Sequence, residues 1–195
     1  MKIVVCRHGI TDVNAGGMIL SHADPPLNAR GREQSERVHA ALHGVAFDAA
    51  ICSPMRRCIE TIAIVAPSLP YEIEDALCEV DFGAWEGRTI DWLEANDPAG
   101  LAKRRREPVR FRPPGGESFE DASHRLRPLS EKIRGSRKRN VLVVAHRGSL
   151  GVLERLLRDL PLESQEVTPL EPGEFHAIVV PSHRVPSGDS NASLQ

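Results

Sequence analysis

The sequence predicts an α/β layered fold on two observations. Short β-like runs alternate with longer helical stretches along the 195 residues. The run Val-Leu-Val-Val-Ala at residues 141–145 is apolar without a break, the pattern of a central strand covered on both faces.

The elements follow in chain order. Residues 2–6 (KIVVC) read as a first strand that stops at Arg7-His8-Gly9. Asn28 is placed as the N-cap of a helix over residues 29–42, with Val38, Ala41 and Leu42 on one face. A second strand over Ala49–Cys52 leads to a helix over residues 55–66, which Pro67 ends. Tyr71–Ile73 is a weaker strand candidate. A third helix is expected over residues 117–133, with a kink at Pro128. The strand at 141–145 is followed, after Gly148, by a helix carrying Leu150, Leu153, Leu156 and Leu157. Residues 176–180 read as the last strand.

Residues 83–115 differ from this pattern. They hold both tryptophans, the basic run Lys103-Arg104-Arg105-Arg106 and the start of the turn Pro113-Pro114-Gly115-Gly116. They read as a partly helical excursion forming a lid or wall over a site. The basic run is read as a solvated helix face, with selection of an anionic substrate as the alternative. Residues 1–181 are expected to form a single domain, and residues 182–195 a polar, disordered tail.

Composition excludes several classes. Hydrophobic residues at 41% and charged residues at 27% are ordinary for a globular domain. A net charge of -2 provides no basic field for nucleic acid or an anionic membrane. No apolar run approaches the roughly 18 residues of a membrane span, and no signal-peptide pattern precedes the first strand. Cys6, Cys52, Cys58 and Cys78 lack paired spacing and read as reduced thiols of a cytoplasmic protein. No metal or other cofactor is expected, because HxH and HExxH spacings are absent and arginines flank the histidines.

The strand ends carry the chemistry. The first run ends in Arg7-His8-Gly9, the second leads into Ser53-Pro54-Met55-Arg56-Arg57, and the 141–145 run ends in His146-Arg147-Gly148. In an open α/β sheet, ligands bind at the carboxyl ends of the strands, beside helix N-termini. Parallel neighbours would therefore gather two histidines and several arginines in one small volume. The anion suited to that volume is a phosphoryl group, since guanidinium forks match its oxygens and Asn14 adds a neutral donor.

Arg7-His8-Gly9 with Thr11 and Asn14, CSPMRRCIET at 52–61, LCEVDFGAWEG at 77–87, PPGGES at 113–118 and VVAHRG at 143–148 occur in this order along the chain. In this the sequence resembles the histidine phosphatase superfamily, the phosphoglycerate-mutase-like proteins. The resemblance implies a three-layer α/β/α sandwich with a mostly parallel central sheet. It implies that His8 is the nucleophile, that Arg7, Asn14, Arg57 and His146 hold the phosphoryl oxygens with Thr11 among the phosphate-binding set, and that Glu79 is the general acid. Asp81 and Glu86 are the neighbouring carboxylates that could be mistaken for it. Two positions depart from the family pattern: Ile10 stands where many members have Glu, and Arg147 where many have Gly.

The short chain and the FGAWEG and PPGGES stretches resemble the phosphatase branch, which includes α-ribazole phosphatase. The expected activity is hydrolysis of a small phosphorylated metabolite, with α-ribazole 5′-phosphate as the named candidate. A phosphoglycerate-mutase-type transfer and a non-catalytic phospho-ligand module are the alternatives.

Overall fold

A computed structural model describes residues 1–181; the expected tail lies outside the described residues. Five strands form one sheet: β1 (Lys2–Arg7), β2 (Ala49–Cys52), β3 (Tyr71–Ile73), β4 (Asn140–Ala145) and β5 (Phe175–Val179). Their order is β3-β2-β4-β1-β5, with β5 antiparallel to β1 and the other pairs parallel. The unbroken apolar run is the central strand β4, buried from Val141 to Ala145.

Alternation along the strands sorts their side chains onto two faces. Val4, Cys6, Ala50, Cys52, Leu142 and Val144 pack beneath α2 (Ala29–Ala41) and α3 (Arg56–Val65). Ile3, Val5, Val141 and Val143 pack against α6 (Phe119–Gly135) and α7 (Arg147–Leu157), through Leu126, Ile133, Leu150 and Leu153. The result is the three-layer α/β/α sandwich with a mostly parallel sheet.

Element ends differ from the sequence reading by one or two residues, each for a local reason. β1 includes Arg7, whose N–H donates to Glu174 O at 3.0 Å. Met55 lies outside α3 as its N-cap. The third helix starts after Ser118, whose hydroxyl accepts the Asp121 N–H while the Asp121 carboxylate accepts from Ser118 N, and it runs through Pro128 to Gly135. Pro128 and His124 are both exposed, so the carbonyl that Pro128 leaves without a helical donor faces water. The fourth helix begins at Arg147, directly after the strand-end histidine.

The excursion contains α4 (Ile90–Asn96) and α5 (Pro98–Arg106), joined at Asp97. Asp97 caps α5 by accepting the Gly100 N–H and also accepts the Trp85 indole N–H at 2.9 Å. Trp85, Leu93, Leu101 and Phe111 form a small core of their own, against which Ile19 and Phe82 pack. Of the excursion, Arg104, Pro108 and Val109 line a cavity that Arg7 and Glu79 also line.

Candidate active site

Strand register brings the predicted residues together. Arg7 lies opposite Ala145, so His8 and His146 leave adjacent parallel strands side by side. Their rings meet edge-on with centroids 5.1 Å apart. Gly9 then turns tightly against the first turn of α2. A Cβ at Gly9 would lie 2.3 Å from Gly31 O, and one at Gly31 would lie 2.2 Å from Ile10 O. Two glycines meet there because only bare backbone fits.

Hydrogen bonds fix the tautomer of His8. Its Nδ1 lies 2.7 Å from Gly9 O, and a carbonyl can only accept, so Nδ1 carries the proton and Nε2 presents a lone pair. Burial, then the neighbouring Arg57 and Arg7 cations, hold His8 well below the usual imidazole value. Burial, then His8, Arg57 and Arg7, do the same to His146, whose Nε2 lies 2.8 Å from Ser53 Oγ. Both rings are therefore neutral at pH 7.

The two arginines are held by backbone carbonyls. Arg7 Nη1 donates to Leu170 O at 2.9 Å. Arg57, completely buried, donates from Nη1 to Ala23 O and from Nη2 to Ser21 O, both at 2.8 Å. The Nε atoms of both are buried without a hydrogen-bond partner among the described residues. Two fixed guanidinium groups with unanswered donors, beside two neutral imidazoles, form a cradle for an oxyanion.

Glu79 is buried beside this cradle, and its carboxylate sits on the N-terminus of α7. Oε1 accepts from Ser149 N at 3.0 Å and Val80 N at 2.9 Å, and Oε2 from Gly148 N at 3.1 Å. A Cβ at Gly148 would lie 2.6 Å from Oε1, so the glycine is what lets the carboxylate approach. Arg125 steadies the approach to Glu79 by donating to Ala76 O and Cys78 O while forking onto the Glu117 carboxylate.

A cavity of about 660 Å³ has Arg7, Asn14 and Glu79 on its wall; His8, Arg57 and His146 do not line it and form the buried floor of the site, with 3%, 0% and 0% exposure. Thr11 lies against Asn14. It is fully buried and caps α1 (Asp12–Ala15), its hydroxyl donating to Asn14 Oδ1 at 3.0 Å and accepting from Asn14 N. Thr11 thus orients the Asn14 amide rather than presenting its own hydroxyl. Ile10 does not line the cavity; its N–H and C=O are tied to Gln34 and Asn28. Arg147 pairs with Glu171 at 2.9 Å on the cavity rim.

Sequence reasoning missed two contributors, Ser53 and Glu86, and held Arg104 only within a basic run whose alternative reading was selection of an anionic substrate. Ser53 orients His146, yet nothing in the sequence distinguishes it from other loop serines. Glu86 accepts the Ser21 and Ala23 N–H groups, both at 2.8 Å, and so holds the segment whose carbonyls hold Arg57. Arg104 leaves the basic run to line the cavity, while Lys103, Arg105 and Arg106 are exposed as a solvated face. Among the described residues, no group of three or more His, Cys, Asp or Glu side chains is placed to hold a metal ion, and no helix is long and apolar enough to cross a membrane.

Comparison with known proteins identifies the family. The family described as histidine phosphatase superfamily (branch 1) matches residues 3–185. The adenosylcobalamin/alpha-ribazole phosphatase of Escherichia coli K12 is 34% identical over 181 residues, covering 91% of this chain and 89% of that protein. The crystal structure of the alpha-ribazole phosphatase from Shigella flexneri superposes with a TM-score of 0.82 at 32% identity, covering 93% of this chain and 91% of that one. A mycobacterial glucosyl-3-phosphoglycerate phosphatase, solved with VO3, has a TM-score of 0.82 at 27% identity, covering 90% and 91%. These named relatives are phosphatases, so the mutase and the silent binding module are not favoured. By sequence, fold and strand-end geometry, the chain belongs to branch 1 of the histidine phosphatase superfamily and is a phosphoric monoester hydrolase.

Proposed function

We propose that His8 carries the phosphoryl group during turnover. The observation that supports this most directly is the Nδ1–H bond to Gly9 O, which leaves Nε2 as a neutral, oriented lone pair. Nε2 attacks phosphorus as the ester P–O bond breaks, and Arg7, Arg57, Asn14 and His146 receive the charge on the phosphoryl oxygens. Glu79 gives a proton to the departing alkoxide, and its resulting carboxylate is received by the three backbone N–H groups around it. That carboxylate then takes a proton from the water that attacks the phosphohistidine, which releases inorganic phosphate and restores His8. Proton transfer rests with Glu79, because Ile10 offers no acid.

The relatives make α-ribazole 5′-phosphate the first substrate to test, with a phosphoglycerate-type ester second. A cytoplasmic setting fits four free thiols, of which Cys6 and Cys52 are pushed up to about 12 by burial. No partner beyond the small phosphorylated substrate is proposed.

The reading is tested by rapid quench without acid after mixing with labelled p-nitrophenyl phosphate. Label should appear on intact protein, be lost on acid treatment, and be absent from His8→Ala. That variant's kcat should fall by on the order of 10⁴ or more, as for removal of other enzymic nucleophiles. Full turnover by His8→Ala would sink the assignment.

A further inference from the structure

We infer that Arg147 holds the Glu171 carboxylate away from Arg7 and so keeps the phosphate cradle open, which makes Arg147 a positioning residue for phosphoryl binding. This rests on the reading of Arg7 as a phosphoryl ligand and adds a residue that acts on that ligand from the cavity rim. The need for it arises in the turn that follows Leu170. Glu174 N–H donates to Glu171 O at 3.0 Å, with Pro172 second in the turn and Gly173 third at a φ of 73°. That is the pattern of a type II turn, whose third position calls for glycine. Glu174 Oε2 also accepts the Glu171 N–H at 2.8 Å.

The turn is fastened to the strand end that carries His8. Glu174 O accepts the Arg7 N–H and His8 O accepts the Gly173 N–H, both at 3.0 Å, while Leu170 O accepts from Arg7 Nη1 at 2.9 Å. The fold itself therefore carries Glu171 to the cradle, where its Oε2 lies 3.7 Å from Arg7 Nη1. A carboxylate at that place competes with a phosphoryl oxygen for the same guanidinium. Arg147 opposes this. It begins α7 and lines the cavity together with Arg7, and its Nη1 donates to Glu171 Oε1 at 2.9 Å. The carboxylate thus makes a close hydrogen bond to Arg147 and only a longer ionic contact to Arg7. On Arg7 the two charges act in opposite senses, Glu171 favouring its cation and Arg147 disfavouring it. An uncharged side chain at position 147 would free Glu171 to close on Arg7. The side chains of the pair are 50% and 59% exposed, so water screens them and the effect is modest.

A double-mutant cycle tests this, with inorganic phosphate as the inhibitor of p-nitrophenyl phosphate hydrolysis. Arg147→Met keeps an apolar stem without the charge. It should raise the phosphate Ki and KM together by about fivefold, the scale of one exposed ion pair. Its kcat should stay within about twofold, because ground state and transition state lose the same binding. In a Glu171→Gln background the same substitution should change Ki by less than about twofold, and Arg147→Lys should stay within about twofold of the wild type. The inference is overturned if Arg147→Met raises Ki equally in both backgrounds, since Arg147 would then act on the ligand directly. It is also overturned if Ki is unchanged, or if kcat falls with KM unchanged, as a purely structural role would have it. Failure of Arg7→Met to weaken phosphate inhibition would instead overturn the reading of Arg7 beneath it.

Discussion

At the floor of the site both arginines are pinned by backbone carbonyls, whereas on the wall built by residues 83–115 Arg104 lies against the rings of Phe82 and Phe119 and, among the described residues, no backbone carbonyl holds it. The floor grows out of adjacent parallel strands, and register alone sets His8 beside His146. The wall grows out of an excursion with its own small core around Trp85 and Phe111, rings 4.9 Å apart. A phosphoryl group is the same in every phosphomonoester, so its cradle can be fixed in advance and withdrawn from water. Leaving groups differ, and the part that meets them is built from segments that can change without disturbing the sheet.

The largest expected effect comes from the cost of keeping the floor dry. Burial first, and then the arginines and the other imidazole, hold His8 and His146 well below the ordinary value of 6.5. Below pH 6.5 the unfolded chain takes up protons that these two folded sites refuse, so stability falls as pH falls and levels off above 6.5. If both rings stay neutral to pH 5.5, the loss from pH 7.5 is on the order of 3 kcal/mol, shared between the two histidines. Urea unfolding at the two pH values measures it. His146→Asn should remove about half of the difference, whereas Arg104→Met should leave it intact. A wild-type stability flat across this range would show that the floor does not exclude charge.

Glu79 stands where floor and wall meet, and a substitution elsewhere can move it. In Gly148→Ala the new Cβ falls 2.6 Å from Glu79 Oε1 and 3.0 Å from Val80 Cγ2, so the carboxylate must shift. The helix itself gains from Ala over Gly, by roughly 1 kcal/mol, so the variant should fold. Removing a positioned acid costs on the order of 10²-fold or more in rate. The expected result is a loss of about 10² in kcat on an alkyl phosphate and a much smaller loss on p-nitrophenyl phosphate, whose leaving group departs without a proton. Equal losses on both would show that Glu79 is not the acid.

The same contrast explains what the sequence made legible. β4 is apolar at every position because both of its faces are covered, and the RHG and AHR strand ends announce themselves by placing charge directly after such runs. α1 has only four residues, too short for any periodicity, and its one signal was the Thr11–Asn14 capping box. Arg104 was lost within a run of four basic residues, because α5 buries only Leu101 and its sequence does not say which side meets the cavity. That orientation is set by Phe82 and Phe119, distant in sequence and brought close only by the fold. Local pattern therefore carried the floor, and tertiary packing alone carried the wall.

The smallest predicted effect links the two regions. Glu86 belongs to the excursion, yet its Oε1 accepts the N–H groups of Ser21 and Ala23, whose carbonyls in turn hold Arg57. Burial alone would raise the Glu86 carboxyl, but the Ala23 and Ser21 N–H bonds outweigh it and hold the group below the usual carboxylate value. The charged form is therefore the one that grips the segment at neutral pH. Glu86→Gln keeps an oxygen acceptor but gives up the charge assistance, which roughly doubles a hydrogen bond. A three- to tenfold fall in kcat/KM is expected, on the scale of one weakened hydrogen bond to a charged group, with inhibition by inorganic phosphate weakened in parallel. Glu86→Ala should lower both further. Wild-type phosphate inhibition in Glu86→Ala would mean that the Ser21–Ala23 segment keeps its shape without the carboxylate, and that the floor owes nothing to the wall.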